Sequence, residues 1–362
     1  MHSAAQTSPG VAQLEAEAQR KLAARDVNGA LAIYEKLAQL EPKSASYQDE
    51  IGFLLAASQR TPEAVPHFER ATQLDPKMAT AWYHLGVARL ICGDGKRGIS
   101  DLQKATLLAP DHADYHFRLG SAYNDAGRYA VAIPELNKAA KKMTQEARLW
   151  EALGLALEKQ KRYKEARTAY VRALELDPNN TAVRNDYAYV LVNAGDPMGG
   201  VAQFKKILER DPNNVNVQVN VGYAYIGAGD YKEAIRELSE VVRRYPEAGD
   251  AHYDLGIAYK QSDDLGNART HLEQAVKLVP SLAEAHYVLA TTYVDLGNTD
   301  KAIEQLRTAV AQRPGYSDAW FELGMILKDR GDTEGAIEAL EKSVSLDGSD
   351  PGAFNTLGLL LR

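Results

Sequence analysis

The chain is short of the residues that form disulfides, membrane anchors and targeting signals. Cys92 is the only cysteine among 362 residues, so a disulfide framework is excluded and the redox compartment stays open. No apolar run approaches the roughly 18 residues that a membrane span needs. Residues 1–10 lack the basic stretch and apolar core of a signal peptide. We expect a soluble protein, cytoplasmic or, if an upstream signal was removed, periplasmic.

Motifs that carry chemistry are missing as well. The sequence has no phosphate-binding loop, zinc-protease motif or nucleophile elbow. His112 and His116 have a spacing that can hold a metal ion, but they straddle a predicted turn and have no third ligand nearby. We therefore predict no enzyme activity, no metal and no cofactor.

Positive charge is scarce in the second half. The net charge is −7, with 24 basic and 22 acidic side chains in residues 1–180 but 18 and 27 in residues 181–362. Nucleic-acid-binding proteins usually have the opposite balance. The composition therefore argues against nucleic acid as a partner.

What the chain does have is a repeat of 34 residues. Prolines recur at this spacing or its multiples, at Pro42, Pro76, Pro110, Pro178, Pro212, Pro246, Pro280 and Pro314. With the proline counted as repeat position 32, the first repeat begins at Val11. Ten repeats then run without insertion to Asp350. A fixed period of this length is the signature of a repeat array.

Within each repeat the apolar pattern changes register once. Positions 4, 7, 8 and 11 have helical spacing, and so do positions 20, 24 and 27. Position 15, between them, holds Gly127, Gly195, Gly229, Gly297 and Gly331. Since glycine past a helix end is a stop signal, each repeat is predicted to be helix, turn, helix. Positions 8 and 20 are glycine or alanine, which lets the two helices approach closely.

This pattern resembles the tetratricopeptide repeat (TPR) family. The best match is the repeat at 147–180, with Trp150, Leu153, Gly154, Leu157, Tyr163, Ala166, Tyr170, Ala173 and Pro178 at the family's positions. The resemblance implies an all-α fold, a right-handed superhelical α-solenoid. We expect a disordered leader at 1–10, ten repeats in one solenoid domain at 11–350 and a truncated eleventh repeat at 351–362, acting as a capping helix.

The resemblance also implies a binding groove and no particular ligand. First-helix positions 2, 5, 9, 12 and 13 lie opposite the packing face, and in this family they line the concave side. Their aromatic, amide and acidic residues suit an extended peptide. The predicted site residues are Tyr83, Phe117, Asn124, Tyr189, Asn193, Tyr223, Asp250, Tyr253, Glu284, Tyr287, Asp318 and Phe321.

The leading hypothesis is a non-enzymatic scaffold that binds a protein segment, basic or hydrophobic in character. Two alternatives stay open: a regulatory or substrate-selecting arm of a larger enzyme, such as a glycosyltransferase, and an assembly factor of an envelope or secretion complex. The truncated repeat at 351–362 carries Phe354, Leu357 and Leu361 on its packing face without a second helix to cover them. We expect one of two outcomes: the natural protein continues past Arg362, or two chains associate end to end through this half repeat.

Overall fold

A computed structural model describes residues 9–362, and these residues form helices and turns without any strand. The predicted leader falls largely outside the described residues, and the first helix begins at Pro9. The helices are α1 (Pro9–Ala23), α2 (Val27–Leu40), α3 (Ala45–Ala57), α4 (Thr61–Leu74), α5 (Ala79–Ile91), α6 (Gly95–Leu108), α7 (Ala113–Asp125), α8 (Tyr129–Ala140), α9 (Ala147–Lys159), α10 (Tyr163–Leu176), α11 (Thr181–Asn193), α12 (Pro197–Leu208), α13 (Val215–Gly227), α14 (Tyr231–Arg244), α15 (Gly249–Gln261), α16 (Leu265–Leu278), α17 (Ala283–Asp295), α18 (Thr299–Gln312), α19 (Ser317–Asp329), α20 (Thr333–Leu346) and α21 (Pro351–Leu360). The predicted all-α fold of paired helices is confirmed.

The turn inside each repeat has one conformation throughout. Position 15 adopts a left-handed backbone in all ten repeats, as at Gly93 (φ 83°) and Gly331 (φ 85°). Four repeats achieve it without glycine, at Arg25, Gln59, Lys161 and Asp263. In six repeats the next residue is an aspartate whose carboxylate accepts from a backbone N–H of the second helix, at Asp26, Asp94, Asp196, Asp230, Asp264 and Asp332.

Close contact between the paired helices depends on the glycine at position 8. A Cβ atom built on Gly222 would lie 2.3 Å from Cγ of Leu238, and one on Gly154 would lie 2.6 Å from the Tyr170 ring. Both distances are far inside van der Waals contact. The large residue at position 24 therefore fills the space that a side chain at position 8 would need, which explains why position 8 stays small.

In seven repeats a side chain at position 4 joins the first helix to the loop before it by a hydrogen bond. Its N–H donates to the backbone carbonyl six residues earlier, usually that of the position-32 proline. Trp82 Nε1 lies 2.9 Å from the Pro76 oxygen, and His286 Nε2 lies 3.1 Å from the Pro280 oxygen. Because a carbonyl oxygen can only accept, Nε2 of His286 carries the proton. Histidine thus replaces tryptophan here as a donor.

The same position-4 side chain meets position 23 of the second helix in its own repeat. Polar side chains at position 4 find polar partners at position 23, in the pairs Gln48–His67 (2.9 Å), His116–Glu135 (2.5 Å), Arg184–Gln203 (2.8 Å), His252–His271 (3.0 Å) and His286–Gln305 (2.7 Å). Two of the tryptophan repeats, at Trp150 and Trp320, have alanine at position 23. Burial lowers the pKa of both His252 and His271, which keeps that pair neutral.

The helices group into two compact units, Met1–Val183 and Arg184–Arg362, here called the first and second regions. Each has its own apolar core, centred on residues such as Leu37 and Phe68 in the first and Phe204 and Leu238 in the second. The prediction that all ten repeats behave as one domain stays a prediction. None of the described helices combines the length and apolar character that a membrane crossing requires.

Candidate peptide-binding faces

Within each region several first helices of successive repeats contact one another directly, as α3 does with α5, α13 with α15 and α15 with α17. Positions 2, 5, 6, 9, 12 and 13 of the first helices define a surface, which we call the groove face. Most predicted site residues are half-buried on it, because one side of each ring or polar group packs on the neighbouring helix.

In the second region the groove face carries a row of aromatic side chains. Tyr253 on α15, Tyr287 on α17 and Phe321 on α19 occupy position 5 of three successive repeats, and each is half-buried. Tyr316 joins them from the turn before α19, with its ring 5.1 Å from that of Tyr287. The sequence analysis missed Tyr316 because it lies outside the helical positions that were considered.

Carboxylates accompany this aromatic row. Asp250, Glu284 and Asp318 lie at position 2 of the same three helices. Glu284 is paired with Arg313, whose guanidinium lies 3.8 Å from the centre of the Tyr316 ring. Asp250 and Asp318 are exposed and form no ion pair with any described residue. The acidic row that the sequence predicted is thus brought together with the aromatic row.

Two acidic residues at position 6 escaped the sequence analysis. Asp254 on α15 is only 9% exposed, and Glu322 on α19 is half-buried. Burial raises the pKa of Asp254 to about 7, and the neighbouring Asp250 carboxylate adds to this shift. Burial also raises the pKa of Glu322, against the opposing effect of Lys260. Burial raises the pKa of Tyr316 to about 12. Carboxylates with raised pKa values favour a cationic ligand that restores their charge.

Near the start of the second region, two predicted tyrosines stack on each other. The rings of Tyr189 and Tyr223 lie 5.9 Å apart and nearly parallel. Asn193 lies between them: its Nδ2 donates to the Tyr189 carbonyl at 2.9 Å, and its Oδ1 accepts from the Tyr223 hydroxyl at 3.4 Å. The amide that was expected to hold a peptide backbone therefore already has internal partners.

In the first region the predicted residues do not form one patch. Tyr83 stacks on Tyr115 with ring centres 4.5 Å apart, and its hydroxyl donates to Asp114. Phe117 is half-buried on α7. Asn124 is buried and donates to the Ala152 carbonyl at 2.8 Å, so it links α7 to α9. The side chain of Asn124 therefore already forms a hydrogen bond between two helices of the protein itself.

The groove face of the first region instead offers an apolar pocket between α3 and α5. It has a volume of about 220 Å³, and its lining includes Phe53, Tyr83, His84 and Ile91. Phe53 is 49% exposed and Ile91 is 67% exposed. His84 Nδ1 lies 2.9 Å from Oδ1 of the buried Asp49, so this polar pair is already satisfied. Sequence reasoning missed the pocket, whose signal was the apolar residues at positions 9 and 13 of the second and third repeats.

The half repeat leaves part of its apolar surface open. Ala353 is buried and Leu360 packs on the core of the second region, whereas Phe354, Leu359 and Leu361 are 48 to 62% exposed. A Cβ atom on Gly358 would meet nothing within 4 Å. The face that a second helix covers in every other repeat is uncovered here. Self-association through it stays a prediction.

The described residues contain no group of three or more potential metal ligands, so the structure offers no metal centre in this part of the chain. What the groove face presents is contact area, carboxylates and hydrogen-bonding groups. Those are the elements of a site for recognition.

Comparison with protein families accounts for this architecture. Tetratricopeptide repeat models match residues 50–96, 92–148 and 287–353, and residues 225–290. The model of the cytochrome c-type biogenesis protein H TPR domain matches residues 128–252. The chain belongs to the tetratricopeptide repeat family, whose folds serve as scaffolds for protein–protein interaction. A comparison with curated proteins gave no match.

Solved structures agree on the fold. A tetratricopeptide repeat protein from Parabacteroides merdae is 16% identical, with a TM-score of 0.55 over 69% of this chain and 99% of that one. The Cut9–Hcn1 hetero-tetramer of APC/C gives 12% identity and a TM-score of 0.53, covering 97% of this chain and 96% of that one. Yeast Tom70 is 14% identical, with a TM-score of 0.50 and the same coverage of both chains. At these identities the likeness concerns the fold alone.

Proposed function

We propose that this protein is a non-enzymatic scaffold that holds an extended segment of a partner protein against the groove face of α15, α17 and α19. The observation that carries the proposal is the aromatic row of Tyr253, Tyr287 and Phe321 with carboxylates beside it. Half-buried aromatic rings supply large, rigid contact area, and such residues dominate binding energy at interfaces.

The spacing of the row also suits an extended chain. Neighbouring helices pack roughly 8 to 10 Å apart, and an extended chain advances about 3.3 Å per residue. Successive aromatic side chains would therefore meet roughly every third residue of the bound segment. The unpaired carboxylates Asp250 and Asp318 favour lysine or arginine between apolar contacts. The proposed ligand is accordingly a segment that mixes apolar and basic residues.

The test begins with affinity capture and mass spectrometry to identify the partner. The partner's affinity is then measured for the wild type and for the triple variant Tyr253→Ala, Tyr287→Ala, Phe321→Ala. We expect a loss on the order of 3 kcal/mol, or more than a hundredfold. Phe53→Ala, in the first region, is the matched control and should bind like the wild type. Unchanged binding by a triple variant with native circular dichroism would exclude this face as the site.

An assembly role is the second candidate, and the match of residues 128–252 to the cytochrome c-type biogenesis protein H TPR domain favours it. The regulatory arm of a larger enzyme has no comparable observation behind it. Cross-linking mass spectrometry separates the two binding modes. Cross-links from the captured partner to α8–α10 or to α11–α14 would support an assembly surface on that group of helices, whereas cross-links to α15–α19 would support the aromatic row.

A further inference from the structure

Asp254 is a buried carboxylate without a partner. Its side chain on α15 is 9% exposed, yet no described residue donates a hydrogen bond or forms an ion pair with it. Burying a carboxylate without a compensating partner is costly. An acidic residue kept in such a place therefore calls for an explanation.

The repeat itself shows what is missing. In two repeats position 6 pairs with position 5 of the preceding first helix: His84 with Asp49 at 2.9 Å, and Asn220 with Asn185 at 3.0 Å. For Asp254 the corresponding residue on α13 is Val219, which has no side-chain donor. The internal partner that those two repeats supply is therefore absent for Asp254.

The neighbouring repeat shows which group such a carboxylate can take. Glu284 on α17 is paired with Arg313, and the same guanidinium lies over the Tyr316 ring. A carboxylate and a tyrosine ring thus hold a cation together, through ionic and cation–π attraction. Asp254 and Tyr253 offer the same two groups, and Asp254 lacks a cation of its own.

We infer that Asp254 accepts the cationic end of a lysine or arginine side chain from the bound segment, with the aliphatic stem lying along Tyr253. This assignment rests on the proposed function, because the segment must first lie on the groove face. Long basic side chains can bury an apolar stem while the charged end reaches a polar group. The inference adds a specific subsite to the general acidity of this face.

A pH dependence follows from the burial of Asp254. Its pKa is about 7 in the free protein, and a bound cation would lower it, so binding should release a proton. Asp250 and Tyr253 are the nearest titratable groups on α15, and Tyr253 in turn faces Glu284 and Tyr316. Helix α13, packed against α15, has no acidic or basic residue and only tyrosine hydroxyls to titrate. Affinity should therefore fall as the pH drops below about 7.

The experiment uses the full chain and a display library of random ten-residue peptides. Selection on the wild type should enrich lysine or arginine at one peptide position. Asp254→Asn should lose this preference while still selecting aromatic or aliphatic residues elsewhere. Val219→Asn, which gives Asp254 an internal donor, should lose it too. Glu304→Gln, an exposed acid on the second helix α18 and outside the groove face, is the matched control and should keep it. Thermal melts verify that each variant is folded.

The outcomes separate the two proposals. Enrichment of apolar residues without a basic position, or the same basic preference in Asp254→Asn, would overturn the subsite and leave the groove intact. Failure to select any peptide would overturn the proposed function and the subsite with it.

The best lysine peptide and its norleucine analogue then give the decisive pH profile by fluorescence anisotropy. The lysine peptide should bind the wild type at least tenfold more weakly at pH 5.5 than at pH 8. The difference should vanish for the norleucine analogue and for Asp254→Asn. A flat profile in the wild type would contradict the role given to Asp254.

Discussion

The two regions are built from the same repeat and present different faces. In the first, Phe53, Tyr83 and Ile91 surround an apolar pocket, and the nearby polar pair His84–Asp49 is satisfied internally. In the second, aromatic side chains alternate with carboxylates, and Asp254 has no partner. The difference is possible because the paired-helix packing uses positions 4, 8, 20 and 24, whereas the groove face uses positions 2, 5, 6, 9, 12 and 13. The packing between paired helices and the proposed binding surface therefore use separate positions of one repeat.

The largest expected effect tests whether the two regions share the same packing. Gly86→Ala and Gly256→Ala each place a Cβ atom within 2.8 Å of a leucine Cγ in the paired helix. We expect each to destabilise its region by roughly 2 to 3 kcal/mol, measured by urea unfolding. Gly358→Ala is the control: with open space around it, alanine should stabilise the helix by up to about 1 kcal/mol. Equal effects at all three positions would refute this packing argument.

The next prediction concerns how the stability of the second region depends on pH. Asp254 has a pKa of about 7 when folded and an ordinary value of 3.8 otherwise, so the native state binds more protons between these values. Stability should therefore fall as the pH rises from about 4 to 7 and stay level above 7. Asp254→Asn should remove this decline, a gain on the order of a few kcal/mol at pH 8 and almost none at pH 4. Parallel curves for the wild type and the variant in thermal melts would show that the carboxyl is not buried as described.

A smaller effect is expected for the salt dependence of peptide binding, because the groove face of the second region is acidic. A lysine-containing peptide bound to the second region should lose about tenfold in affinity between 0.05 and 0.5 M NaCl, because exposed charges are screened. The triple variant Asp250→Asn, Glu284→Gln, Asp318→Asn should show a shallower dependence. Binding of an acidic peptide with equal affinity at high salt would contradict the acidic character assigned to this site.

The smallest effect on stability is expected at the half repeat. Leu359→Lys and Leu361→Lys change exposed side chains and should alter the unfolding free energy by less than about 0.5 kcal/mol. If the open face of α21 mediates self-association, both should lower the average mass seen in sedimentation at high concentration. An unchanged monomeric mass in wild type and variants alike would remove self-association from consideration.

Most of the fold, but only part of the candidate site, could be predicted from the sequence. The 34-residue period predicted every helix pair, and glycine occupies the left-handed position in six of the ten turns. Lys161 and Asp263 adopt the same conformation without glycine, because the flanking helices impose it. The aromatic and acidic rows were visible as positions 5 and 2. Asp254 was not, because its lack of a partner depends on Val219, 35 residues earlier on another helix.

The donor at position 4 has a consequence for rearranging such an array. The residue type at position 4 matches the residue type at position 23 of the same repeat, as in His286–Gln305 or Trp320–Ala339. A repeat duplicated, deleted or transplanted as a block of 34 residues keeps both members together. Exchanging Trp320 for histidine alone would leave an imidazole facing a methyl group. The array is thus easier to alter by whole blocks than by single residues, and chimaeras of this protein should be cut at multiples of its period.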